Sequence, residues 1–131
     1  MKYLLTLWGD ETRFADRTPE EIQEAMRHWD AYTIETKDAG AFVGGEGLQP
    51  TATATTIQIQ PSGDHVVTDG PFAETKEQLG GFYLLDCENL DEAIAWAKKI
   101  PMPGGKVEVR PVMDYEAAGS GAHAQEAGAR R

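Results

Sequence analysis

Residues 18–40 have the sequence TPEEIQEAMRHWDAYTIETKDAG, which predicts a long helix with a defined start and end. Thr18 offers an N-cap hydroxyl, Pro19 occupies the first helical position and Glu21 the third, so the unpaired N–H groups of a helix start find acceptors. One stripe recurs at helical spacing along this segment: Ile22, Ala25, Met26, Trp29 and Thr33. We therefore predict an amphipathic helix that ends at 38–40 and packs its stripe against a sheet.

A second helix and six strands are predicted around that segment. Asn89 and Glu92 form an N-cap pair ahead of a second apolar stripe, and the helix ends before Pro101. Apolar runs or alternating patterns predict strands near 3–8, 41–43, 52–60, 65–68, 82–86 and 106–110. The order β-α-β-β-β-β-α-β is typical of a ferredoxin-like α+β domain, in which two helices cover one face of a mainly antiparallel sheet.

The other face of this predicted sheet has no helix to cover it. A small sheet with one bare face is often completed by a second copy packed face to face, and we therefore predict a homodimer.

Two segments between the helices have distinctive patterns. Residues 44–47, Gly-Gly-Glu-Gly, predict a tight turn in which the backbone adopts unusual dihedral angles or approaches another group closely. Residues 52–60 alternate in character, which predicts a half-buried strand that pairs with residues 65–68 as a hairpin.

Length and composition limit the number of domains and the kinds of partner. The chain of 131 residues suits one domain, which we place at residues 1–113, followed by a flexible tail at 114–131 that lacks apolar periodicity. Its 12 basic and 22 acidic residues give a net charge of −10, which disfavours nucleic-acid binding. The apolar start is too short for a signal peptide or a membrane span, and the single Cys87 cannot form an internal disulfide. We expect a cytoplasmic protein with no membrane partner.

Several short motifs together carry a resemblance to a known family. They are Glu-Gly-Leu at 46–48, Val-Thr-Asp-Gly-Pro-Phe-Ala-Glu-Thr-Lys-Glu at 67–77, Gly-Gly-Phe at 80–82, Ala-x-x-Trp-Ala at 93–97 and Val-Glu-Val-Arg-Pro at 107–111. With these motifs the chain resembles the DGPF branch of the YCII-related family, from about residue 1 to residue 111.

The resemblance implies a dimeric α/β barrel of ferredoxin-like subunits. Relatives on this scaffold include small-molecule enzymes and proteins with no assigned activity, and bacterial members often occur alongside sigma factors. In the wider group a His and Asp pair has been proposed as an active site. Fold resemblance alone does not assign a function, so two function classes stay open.

The first class is a small-molecule-binding domain, which could be a lyase, an isomerase or a dehydrochlorinase-like enzyme that works by acid–base chemistry without a cofactor. Its candidate catalytic residues are Asp69, His28 and Glu46. Its candidate ligand-binding residues come from the loop after Asp69: Phe72, Glu74, Lys76 and Glu77. The second class is a noncatalytic interaction module, in which the same loop stabilises a dimer or docks a regulatory partner such as a sigma factor.

Each candidate also has a structural explanation. Asp69 could accept backbone hydrogen bonds in a turn, and Glu74, Lys76 and Glu77 could form a solvated loop or a set of salt bridges at the dimer contact. His28 could be an exposed helical histidine. The aromatic residues Trp8, Trp29, Phe42, Phe72 and Tyr83 could line a pocket or pack in the core. The three scattered histidines and the one cysteine lack the spacing of metal ligands, so no metal site is predicted.

Overall fold

Six strands and two helices follow one another in this computed structural model, which describes residues 1–116. The strands are β1 (Lys2–Gly9), β2 (Phe42–Gly47), β3 (Thr55–Ile59), β4 (His65–Asp69), β5 (Gln78–Asp86) and β6 (Lys106–Pro111). The helices are α1 (Pro19–Asp38) and α2 (Leu90–Lys98). Two short 3-10 helices lie at Glu11–Phe14 and Thr51–Thr53. The order of strands and helices is the predicted one. The prediction of a flexible tail at 114–131 falls, from residue 117 onward, outside the described residues.

The main sheet contains four strands in the order β2-β5-β1-β6, and every neighbouring pair is antiparallel. The centre of the sheet is its most apolar part, since Leu5 of β1 and Leu85 of β5 are fully buried. The predicted α+β class with an antiparallel sheet is therefore confirmed. Within residues 1–116 this sheet is open at β2 and at β6 and does not close into a barrel.

Both helices lie on one face of the main sheet. Alternate residues of the central strands, such as Leu5 and Tyr83, share a buried cluster with Tyr32 of α1 and Ala93 of α2. The predicted caps are confirmed, because the Thr18 side chain accepts a hydrogen bond from the Glu21 N–H and Asn89 accepts one from Glu92. Each cap satisfies an N–H group at the helix start, worth about 1 kcal/mol.

Cys87 belongs to the same buried cluster, just beyond β5. Its side chain is 2% exposed. Burial raises the pKa of the thiol, and the carboxylates of Glu92 and Asp86 raise it further. A buried, protonated thiol is a poor nucleophile, so Cys87 serves in packing.

The opposite face of the main sheet carries no helix of the described chain. Leu4, Thr6 and Trp8 of β1 lie on this face, with Phe82 and Leu84 of β5 beside them, and all five are half-buried. We call these five residues the bare sheet face.

The glycine-rich segment at 44–47 is not a tight turn, as the sequence had indicated, but part of β2. Gly80 and Gly81 likewise lie within β5. The reason is a close approach of the two strands: a Cβ atom on Gly81 would lie 2.8 Å from the Glu46 carbonyl oxygen. Glycine is needed here so that two backbones can pair tightly, and not because the chain reverses direction.

Strands β3 and β4 form a separate two-stranded sheet, which we call the arm, residues 55–69. Ile57 pairs with Val67 and Ile59 with His65. The prediction that the first strand is half-buried is wrong for the single chain, because Ile57 is 58% exposed and Ile59 72% exposed. The alternating pattern is present, but no other element of the described chain covers its apolar side.

Candidate functional site

A cavity of about 590 Å³ lies where β1 and β2 end and β5 begins, next to α1. Leu7 comes from β1, Phe42 from β2 and Tyr83 from β5, while Trp29 and Thr33 of α1 lie on the opposite side. The 3-10 helix that follows β1 and the loop that follows β2 complete the lining. The cavity therefore lies between the helix layer and one end of the sheet.

Glycines on the sheet create this space. Gly45 pairs with Tyr83, whose side chain contacts α1, and Gly47 pairs with Gly81 two residues further along. Side chains two residues apart in a strand share a face, so these glycines lie where side chains would otherwise project toward α1. A Cβ atom added at Gly47 would find no atom within 4 Å. At these glycines the sheet consequently presents a floor of bare backbone, in the same lining as Trp29 and Thr33 of α1.

Aromatic rings form one wall of the cavity, with Tyr83 at their centre. Its ring stacks on Trp29 at 6.3 Å between centroids and meets the edge of Phe42 at 6.4 Å. Tyr32 packs edge-on against the buried side of Tyr83 at 5.1 Å. The Tyr83 hydroxyl also lies 2.9 Å from the Thr33 hydroxyl oxygen, so the ring is held in one position. The wall is thus a preformed surface for a flat, apolar group.

Glu11 ties together the segments around the cavity mouth. Its carboxylate accepts hydrogen bonds from the backbone N–H and the hydroxyl of Thr51, while its own N–H donates to the Gln78 side chain at 3.0 Å. Both carboxylate oxygens are therefore occupied. These contacts connect the residues after β1, the loop after β2 and the start of β5. Glu11 therefore fixes the relative positions of three segments that line the cavity.

Arg17 brings a positive charge to the same lining. Its side chain is half-buried, and its guanidinium carbon lies 4.4 Å from the centroid of the Phe14 ring. No carboxylate of the described chain forms a salt bridge with it. Arg17 therefore presents hydrogen-bond donors that the described residues do not use.

The three residues predicted as catalytic lie in three different places. Glu46 belongs to the cavity lining, but it pairs with Phe82, so strand alternation directs its carboxylate toward the sheet face away from α1. His28 is exposed on α1, with its Nε2 atom 3.1 Å from a Glu24 carboxylate oxygen. Asp69 is exposed at the end of the arm, opposite Thr55. The described chain does not bring them together, and their roles stay predictions.

The residues predicted to bind a ligand lie in the loop between the arm and β5. Phe72 is the most exposed large apolar side chain of the described chain, at 87%, and Glu74 and Lys76 are also exposed. Glu77 forms a salt bridge of 2.6 Å with Lys106 at the start of β6. This pair lies within one chain, so the alternative interpretation, in which the loop makes salt bridges at the dimer contact, stays a prediction.

Sequence reasoning missed several residues of this cavity. The spacing of Gly45 and Gly47 by two residues matches one face of a strand and could have indicated a backbone floor. Trp29, Phe42 and Tyr83 had been weighed as either pocket or core residues, and they serve as both. Arg17 gave no such signal, because its place depends on the loop between β1 and α1.

Residues 1–116 contain neither a candidate metal-binding cluster nor a candidate membrane-spanning helix. Residues 1–116 hold no group of three or more His, Cys, Asp or Glu side chains that could bind a metal ion. No helix in that part of the chain has the length and apolar character needed to cross a membrane.

Comparison with known proteins gives two matches. The model of the YCII-related domain matches residues 1–116. An uncharacterized protein, R00369, of Rhizobium meliloti (strain 1021) is 39% identical over 119 residues, which cover 88% of this chain and 95% of that protein. Neither description specifies a substrate or a reaction.

Proposed function

The chain belongs to the YCII-related domain family, and on that premise we propose that it binds a small, flat, apolar compound in the cavity beside α1. The glycine floor carries this proposal. A strand that served only packing would direct side chains toward α1, as Leu5 and Leu85 do further along the sheet. At Gly45, Gly47 and Gly81 the chain places no side chain there, and at Gly47 the space is open, since an added Cβ atom would find no atom within 4 Å.

The size and lining of the cavity support a small-molecule ligand. Its volume of about 590 Å³ falls within the range of roughly 300–1,000 Å³ that is usual for such sites. Six aromatic residues belong to the lining, Trp29 and Tyr83 among them, and a few polar groups such as Thr33 lie with them. A compound with a single aromatic ring or two fused rings fits this lining of aromatic and polar residues, because aromatic rings stack well on Trp and Tyr.

A cavity-filling variant tests the proposal. We expect Gly47→Val to weaken binding of 2-naphthol, a flat neutral probe, at least tenfold in isothermal titration calorimetry, because the new side chain occupies open space. Gly44→Val is the matched control, since Gly44 lies in the same strand, pairs with Leu84 on the other face and also has no atom within 4 Å of an added Cβ. Equal binding by both variants, or no binding by the unmodified chain, would contradict the proposal.

The acid–base version of this function is narrower. It would need a proton-transferring group at the bound compound, and the predicted catalytic residue in the lining is Glu46, whose position in the strand register directs its carboxylate away from α1. Because Asp69 and His28 lie elsewhere on the described chain, the contacts favour binding over catalysis. Lyase, isomerase or dehydrochlorinase-like chemistry therefore stays a proposal that depends on Glu46.

We further propose that the chain forms a homodimer of ferredoxin-like subunits, with the bare sheet faces packed together as in a dimeric α/β barrel. The strand order β2-β5-β1-β6, with both helices on one face, supports this arrangement. Four strands spaced about 4.8 Å apart and about six residues long present roughly 400 Å² of plane. On the same reckoning the exposed arm adds roughly 160 Å², so the two sheets together present about 560 Å² of the roughly 800 Å² per partner of a standard interface.

The arm is the specific observation that favours an interaction role. A two-stranded hairpin is marginal by itself in water, and its apolar side chains need cover. A second copy is the occupant that we propose. If the chain were a monomer in solution, a regulatory protein such as a sigma factor would become the better candidate.

A further inference from the structure

Three lining residues of the cavity carry an acidic or basic side chain, and they differ in how far they are available to a ligand. Glu11 has both oxygens occupied by Thr51. Glu46 lies in the strand register that directs its side chain away from α1. Arg17 is half-buried and forms no ion pair with the described residues. The charge left for a ligand is therefore the positive one.

Arg17 is the only half-buried lysine or arginine among residues 1–116, where the others are exposed. Acidic residues outnumber basic ones by 22 to 12, so carboxylates are plentiful. Among the exposed basic residues, Arg27, Lys99, Lys106 and Arg110 each form an ion pair with a carboxylate, whereas Lys2, Arg13, Lys37, Lys76 and Lys98 form none with the described residues. Stacking on Phe14 instead holds the guanidinium in place. A guanidinium held by an aromatic ring keeps the N–H donors in its plane free, and these match the two oxygens of a carboxylate.

We propose that the ligand of this cavity is a flat aromatic carboxylic acid, with its anion bound by Arg17 and its ring against the aromatic wall of Trp29 and Tyr83. This inference rests on the proposed function and adds the chemical class of the ligand. Such an acid matches both parts of the lining, because its ring contacts the aromatic wall and its carboxylate pairs with Arg17. A neutral ring leaves Arg17 unused, and an amine meets it as a like charge.

Three probes of one shape separate the charge preference from binding itself: 2-naphthoate, 2-naphthol and 2-naphthylmethylammonium. We expect the unmodified chain to bind 2-naphthoate at least tenfold more tightly than 2-naphthol in calorimetry at neutral pH, and the ammonium compound most weakly. In Arg17→Gln the affinities for naphthoate and naphthol should converge. Arg17→Lys should restore part of the preference, because it keeps the charge and loses the planar fork.

Arg13→Gln is the matched control. It removes the same charge from the same connecting segment, but Arg13 lines only a smaller neighbouring depression of about 220 Å³, whereas Arg17 lines both that depression and the cavity. We expect this variant to keep the full preference for naphthoate. Equal loss in both variants would mean that net charge, not Arg17, sets the preference, and would overturn the inference.

The outcomes also separate this inference from the proposed function. Binding of 2-naphthol with no gain for 2-naphthoate, or tightest binding of the ammonium compound, overturns the carboxylate inference and leaves the cavity as a ligand site. Failure of all three probes to bind overturns both.

Discussion

Gly81 and Gly47 face one another across two strands, but they tolerate a side chain very differently. A Cβ atom at Gly81 would lie 2.8 Å from the Glu46 carbonyl oxygen and 3.3 Å from the Gly47 Cα atom, both of them backbone. At Gly47 the same atom would enter open space. One glycine therefore permits the close pairing of β2 and β5, and the other leaves the cavity open.

This difference predicts opposite effects of the same substitution on stability. We expect Gly81→Ala to lower the free energy of unfolding by about 1–3 kcal/mol, because backbone atoms must move to admit the methyl group. Gly47→Ala should leave it unchanged or raise it by up to about 1 kcal/mol, because alanine restricts the unfolded chain. Urea denaturation of the two variants measures both. Equal destabilisation would show that the strands are not paired as described.

At the scale of elements, the helices were predictable because each carries its own start and end signals. The Thr18 and Asn89 caps are local, and both formed as predicted. The extent of β2 and β5 was not predictable, because residues 44–47 and 80–81 are rich in glycine. Glycine occurs both in turns and where two backbones approach closely. Whether a glycine lies in a turn or in a closely paired strand depends on the neighbouring strand, and the local sequence does not specify that strand.

The arm gives the clearest prediction at this scale. If a second copy covers its apolar side, Ile57→Glu should convert the homodimer into a monomer, with a sedimenting mass falling from twice 14.3 kDa to that value. Gln58→Glu is the control, since the neighbouring residue points to the other side of the same strand and gains the same charge. A dimer that survives Ile57→Glu would remove the arm from the interface, and an unmodified chain that is monomeric would end the dimer proposal.

At the scale of the whole molecule, the fold was more predictable than the site. Burial patterns along β1 and β5 are repeated over many residues, so the α+β class and the helix-covered face follow from the sequence. The cavity depends instead on single residues from distant segments: Gly47, Glu11, Arg17 and Tyr83 meet only after the sheet has formed. The ionisable residues between the arm and β5 are close together in sequence and therefore predicted a site there. The cavity lies elsewhere, because none of residues 69–77 lines it.

The central claim is that the glycine-floored cavity is the ligand site. A ligand titration monitored by nuclear magnetic resonance tests this claim, because the backbone amides of the floor glycines lie in the cavity lining. On addition of 2-naphthol we expect the backbone amide signals of Gly45, Gly47 and Gly81 to shift together, while those of Gly63 and Gly70 in and beside the arm stay in place. Shifts confined to the arm or the Asp69 loop, with the three floor glycines unmoved, would contradict the account.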